Sequence, residues 1–181
     1  MSSIKQYSNV ARVMHWIMAV LVLCMIPAGF LMVQDGVPRG LRDALFLFHK
    51  NVGVLLLILV VIRAAYRLRH PPAPLPADVP RMQQAAAGLS HMALYALLIL
   101  MPLAGYIRVK AGGFPIESLD ALGVLSLVPR NEGLAEAAKT AHYVGGLAIT
   151  GIVTLHVAAA AYHGLVRRDG VFGRMWPPVN R

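Results

Sequence analysis

Three stretches of this chain run without a Lys, Arg, Asp or Glu for long enough to cross a bilayer: Val13 to Val33 (21 residues), Met82 to Ile107 (26) and Thr140 to Val166 (27). A helix needs about 20 predominantly apolar residues to span the hydrocarbon, so each stretch predicts a transmembrane helix. A fourth is shorter, because Asn51 to Ile62 provides only 12 residues between Lys50 and Arg63. Ala44 to Phe48 before it and Ala64 to Tyr66 after it extend the apolar run, and Lys50 and Arg63 can snorkel to the interface. The expectation is an all-α, four-helix transmembrane bundle forming one domain over residues 1–181, with spans at 13–33, 44–66, 84–107 and 140–166. The first span is expected to be retained as a helix and not cleaved as a signal peptide. Its 21 residues exceed a typical signal core, and no small-x-small cleavage site precedes Gln34.

Composition excludes the main alternatives. At 57% hydrophobic and 14% charged residues, with a mean hydropathy of +0.62, the chain is too apolar for an ordinary soluble domain or for disorder. Its 17 Lys and Arg against 8 Asp and Glu would suit nucleic acid if they lined one face. They sit instead between the apolar runs as membrane flanks, so lipid and not nucleic acid is the expected surrounding. The single cysteine, Cys24, allows no internal disulfide, no thiolate metal site and no covalent haem attachment.

The basic residues also predict orientation. The amino end, the second connection and the tail hold Lys5, Arg12, Arg63, Arg67, Arg69, Arg81, Arg167, Arg168, Arg174 and Arg181, ten against Asp78 and Asp169. The first and third connections hold Arg39, Arg42, Lys50, Arg108, Lys110, Arg130 and Lys139, seven against six acids. Both termini are therefore expected on the cytoplasmic side. The segment His70-Pro71-Pro72-Ala73-Pro74-Leu75-Pro76 cannot continue a helix and reads as a stiff linker. Asn131 with Glu132 reads as the cap and acidic first turn of the last helix.

Six of the seven histidines fall in the spans or at their mouths: His15, His49, His91, His142, His156 and His163. Ionisable residues inside a membrane are functional candidates, the bland alternative being histidines that merely bond a neighbouring helix. Spacing separates the two. His142 and His156 are 14 residues apart, about 21 Å along a helix and near four turns, so they share a face at different depths. His15 enters from the cytoplasmic side and His49 from the outer side, which matches His15 with His156 and His49 with His142 in depth. Two pairs stacked through a bundle suit two haems, each iron taking an imidazole from each of two helices. Zinc or copper would need three or four ligands at one depth, and Cys24 is the one Cys, Asp or Glu within a span, too little to complete such a set. Gly53, Gly145, Gly146 and Gly151 would let a flat ring approach backbone; tight helix packing explains any one of them equally well.

At this point the chain resembles the bacterial cytochrome b561 family, small four-helix membrane cytochromes carrying two b haems. The resemblance rests on Tyr7 to Trp16 with Arg12-x-x-His15-Trp16, on Leu47-Phe48-His49-Lys50-Asn51-x-Gly53 and on Arg63-x-x-x-Arg67-x-x-His70-Pro71-Pro72. It continues through Ser90-His91, Pro102-Leu103-x-Gly105, Asn131 to His142, His156-x6-His163 and Arg168-Asp169-Gly170. It implies His15, His49, His142 and His156 as haem ligands, an inner-membrane location, and a superoxide oxidase activity that takes electrons from superoxide outside and passes them to ubiquinone.

Under that resemblance His91 and His163, with Ser90, become candidates for a quinone site near the cytoplasmic haem, since a reduced quinone needs protons. Arg12, with Lys50 and Arg63, is a candidate for neutralising haem carboxylates. Lys50, Arg108 and Lys110 are candidates for guiding an anionic substrate to the outer haem, although the six acids of that side nearly cancel its charge. Two other classes stay open: a quinol-linked electron-transfer cytochrome serving another redox partner, and a non-redox membrane carrier.

Overall fold

A computed structural model describes residues 6–76 and 79–179; Lys5, Asp78 and Arg181 of the orientation count lie outside it. Four long helices dominate: α1 (Asn9–Leu31), α2 (Arg39–Arg69), α3 (Arg81–Ala111) and α5 (Glu132–Ala161). A short α4 (Glu117–Ala121) lies between α3 and α5. A π-helical turn (Tyr162–Arg167) and one 3-10 turn (Phe172–Arg174) follow α5. The four long helices are long and apolar enough to cross a membrane. The all-helical bundle expected from the apolar runs is the fold found.

Local chemistry sets the helix starts. Ser8 Oγ accepts from Ala11 N at α1, and Asn131 Oδ1 accepts from Leu134 N at 2.9 Å, capping α5 as the Asn131-Glu132 pair predicts. Pro38 and Pro80 occupy the caps of α2 and α3, where a missing N–H costs nothing. The helices overrun the predicted spans: α2 and α3 have 31 residues each, about 46 Å at 1.5 Å per residue, against a hydrocarbon core of about 30 Å. Hydropathy marks where lipid begins, whereas a helix continues until a breaker stops it. The charged turns Arg39–Asp43 and Arg67–Arg69 are therefore helical and project into the interfaces.

The helices pack in chain order, α1 on α2, α2 on α3 and α3 on α5. Met18, Val22, Leu56 and Val60 form the buried core, with Tyr95, Leu98 and Ile99 of α3 and Val153 of α5 against it. Among the described residues α5 makes at most slight contact with α1 and α2. Val153 is the α5 residue that reaches the core of the first two helices.

The chain after α5 folds back under the end that carries the termini. Trp16 Nε1 donates to the Met175 carbonyl at 2.9 Å, Trp16 meets Trp176 edge-on at 5.3 Å, and Tyr7 N donates to the Arg174 carbonyl at 3.1 Å. Arg174 is buried, donates to the Ala73 carbonyl and lies 5.2 Å over the Tyr7 ring. One residue thus ties the tail, the amino end and the proline linker together.

Candidate functional site

The histidines meet where α5 faces α1 and α2. His15 of α1 and His156 of α5 stand with ring centroids 6.2 Å apart, and His49 of α2 and His142 of α5 at 6.0 Å. Both pairs cross at steep angles of 73° and 75°, so the rings oppose each other without stacking. His91 of α3 joins the first pair, 5.6 Å from His156. The end with the termini therefore holds three imidazoles and the far end two, separated by four turns of α5.

Several features orient the far pair. His142 Nδ1 lies 3.0 Å from the Met101 carbonyl, which fixes it as the protonated nitrogen and leaves Nε2 as the donor toward a metal. Two glycines from neighbouring helices make room for the rings. A Cβ on Gly29 of α1 would sit 2.8 Å from His49 Cε1, and one on Gly105 of α3 would sit 3.2 Å from His142 Cε1. The glycines noted in the sequence act otherwise. A Cβ on Gly145 would collide with Met101 Sδ, which is tight packing of α5 on α3; Gly53 and Gly146 have ordinary contacts, and Gly151 faces open space.

The pairs suit a metal with a planar partner. Two bonds of about 2 Å, the usual length from a metal to imidazole, together with two ring half-widths, fill the observed separations. Among the described residues no three His, Cys, Asp or Glu side chains converge as a metal centre. Each pair offers two donors only, so any other coordination position must come from the bound group itself, as the nitrogens of a haem provide.

The remaining predicted residues scatter more. Arg12 is fully buried three residues before His15 and donates from Nη1 to Gln6 Oε1 at 3.0 Å. Ser90 gives its hydroxyl proton to the Ala87 carbonyl of its own helix. His163 does not continue the face of His156, because the chain enters the π-helical turn there; its Nδ1 bonds Asp169 Oδ2 at 2.6 Å. Burial would raise the Asp169 carboxyl, but hydrogen bonds from His163 and Val171 N and the nearby Arg167 outweigh it and hold the group below the ordinary carboxylate range. On the far end Lys50 Nζ binds Glu117 Oε1 at 2.6 Å, and Lys110 Nζ binds Asp120 Oδ1 at 2.5 Å. Burial works against Glu117 as well, and its bonds from Lys50 and Asn51 still pull it below the usual range. Arg108 has no carboxylate partner among the described residues and lies in electrostatic range of both His49 and His142. Gly29 and Met101 were not singled out from sequence, and Asp169, six residues after His163, was noted only as an acid and within Arg168-Asp169-Gly170, without a role beside His163.

A helical bundle with opposed imidazoles at two depths defines a membrane cytochrome of the b type. Residues 6–178 match the family described as prokaryotic cytochrome b561, and the chain belongs to that family of haem b membrane electron-transfer proteins. It is 29% identical over 172 residues to cytochrome b561 homolog 2 of Escherichia coli K12, covering 94% of this chain and 91% of that one. It is 28% identical over 178 residues to a probable superoxide oxidase CybB of Yersinia pestis, covering 96% and 97% of the two chains. Cytochrome b561 homolog 1 of Escherichia coli K12 is 24% identical over 176 residues, covering 95% and 97%.

A Gly29→Ala substitution tests how closely the far pair is built. Overpacking of this kind costs about 1–3 kcal/mol, and here it falls on the His49 ring. The expected outcome is a lower midpoint of thermal unfolding for Gly29→Ala than for the unsubstituted protein, read by circular dichroism.

Proposed function

We propose that this chain holds two b haems, one between His15 and His156 and one between His49 and His142, and carries electrons from superoxide at the far end to ubiquinone at the end bearing the termini. The observation that carries this reading is the pair of opposed imidazole sets placed at two depths by a single helix, α5. The relative named as a probable superoxide oxidase supports the choice of substrate. The excess of arginines at Arg12, Arg63, Arg67, Arg69, Arg81, Arg167, Arg168 and Arg174 supports a cytoplasmic location for the termini in a bacterial inner membrane.

Bound haem supplies a one-electron carrier at each depth. The polypeptide does the rest. His15 with His156, and His49 with His142, would each give two imidazoles to a bound haem, which would then supply electron exchange in preference to ligand binding. Two superoxide anions lose one electron each and become dioxygen, and ubiquinone takes the two electrons with two protons to give ubiquinol. Arg108 faces the approaching anion with an unneutralised charge, while Lys50 and Lys110 hold α4 through Glu117 and Asp120. At the other end Asp169 holds a proton on His163 Nδ1, which leaves Nε2 as the nitrogen to meet a quinone carbonyl and exchange a proton with it. His91 lies beside His156 for the same purpose, with Ser90 next to it as a further contact. Arg12, buried close to His15, neutralises a haem carboxylate.

Haem quantification of the purified protein tests this reading at its base. Two b haems per chain are expected; one or none contradicts the assignment of both histidine pairs.

A further inference from the structure

Positive charge is unequally distributed around the two imidazole sets. At the end with the termini, Arg63 Nη1 donates to the Ala11 carbonyl at 2.7 Å, one turn before His15. The Arg67 guanidinium lies 5.6 Å over the ring of Tyr95, one turn after His91. Arg174, buried in the tail, donates to the Ala73 carbonyl beneath the same mouth. All three lie in electrostatic range of His91, and Arg63 of His15 as well. Among the described residues none of them pairs with a carboxylate. Their contacts are with carbonyl oxygens and aromatic faces, which orient a guanidinium without cancelling its charge. At the far end Glu117 neutralises Lys50, Asp120 neutralises Lys110, and Arg108 alone is left in range of the His49 and His142 pair.

Reduction adds one negative charge to a site. A fixed cation nearby stabilises the reduced form relative to the oxidised form, more strongly where the dielectric constant is low. Net charge and burial are among the protein's levers on haem potential. The carboxylates of haem b come with both haems alike, so the difference between the sites is left to the protein's own charges. We propose that Arg63, Arg67 and Arg174 make the site between His15 and His156 the higher-potential one, so that electrons run downhill from the far end toward the termini. This rests on the two-haem reading above and adds the order of the two potentials to it.

The test is an equilibrium redox titration of the purified haem-loaded protein, followed in the visible absorption bands. Wild type should titrate in two waves. The His142→Ala protein, left with the haem at His15 and His156, should titrate at the higher wave. Arg67→Gln should lower the higher wave and leave the lower one in place, Arg67→Lys should restore it, and Arg108→Gln should lower only the lower wave. A haem remaining in His142→Ala that titrates at the lower wave overturns the inference, as does an Arg67→Gln protein with both waves unmoved. The His142→Ala result needs no change at Arg67, so it decides the order of potentials even where Arg67→Gln fails to retain haem. A haem content other than two per wild-type chain overturns the two-haem reading itself, and is distinguished by being measured before any titration.

Discussion

Replacing His142 with Ala should reduce the haem content from two to about one per chain, because one of the two axial imidazoles at the far site is removed. His156→Ala should remove the other haem. The two variants share a helix, so a general weakening of α5 would make their spectra fall together. Opposite and complementary losses are expected instead, since α5 is held on α3 by contacts such as Gly145 against Met101 that neither substitution touches. His49→Ala should match His142→Ala in the reduced-minus-oxidised spectrum, and His15→Ala should match His156→Ala. A His49→Ala protein with the spectrum of His15→Ala would show that the rings are paired differently.

The second large effect is expected at the far face, where the structure divides three cations that look equivalent in sequence. Lys50 and Lys110 already face carboxylates at 2.6 Å and 2.5 Å, whereas Arg108 does not. A unit charge at about 4 Å is worth about 1 kcal/mol in water-like screening, so Arg108→Gln should slow haem reduction by superoxide roughly five-fold. Replacing Lys50 and Glu117 together with Gln, which removes the pair without changing the net charge, should change it less than about two-fold by the same arithmetic. Glu117→Gln should speed it, because it releases the Lys50 charge. All of these differences should shrink with added salt, since exposed charges are screened beyond about 8 Å at physiological ionic strength. Stopped-flow absorbance at low and high salt checks each of them.

The spans and the histidine depths were legible in the sequence because both depend on single-helix periodicity. Hydropathy over 20 residues reports lipid contact, and 14 residues between His142 and His156 report a shared face whatever surrounds the helix. Helix ends were less legible, since Arg39 to Asp43 and Arg67 to Arg69 continue α2 beyond the hydrocarbon, where hydropathy says nothing. Gly29 and Gly105 were hidden for another reason. A glycine in a membrane helix reads as close packing, and only the ring of His49 or His142 arriving from another helix shows what the missing Cβ makes room for. The pairing of Lys50 with Glu117 spans 67 residues and follows from where the loop after α3 places α4. Seven residues of α-helix after His156 would put His163 on the same face, and the π-helical turn from Tyr162 re-aims it toward Asp169.

Electron transfer from superoxide to ubiquinone is read directly by rapid mixing of superoxide with the oxidised, haem-loaded protein in ubiquinone-containing liposomes. Fast haem reduction that superoxide dismutase abolishes is expected, followed by reoxidation as ubiquinol forms, with two superoxide consumed per ubiquinol. Haem reduction that is slow, indifferent to superoxide dismutase and obtained only with added quinol would contradict it and identify the chain as a quinol-linked relay.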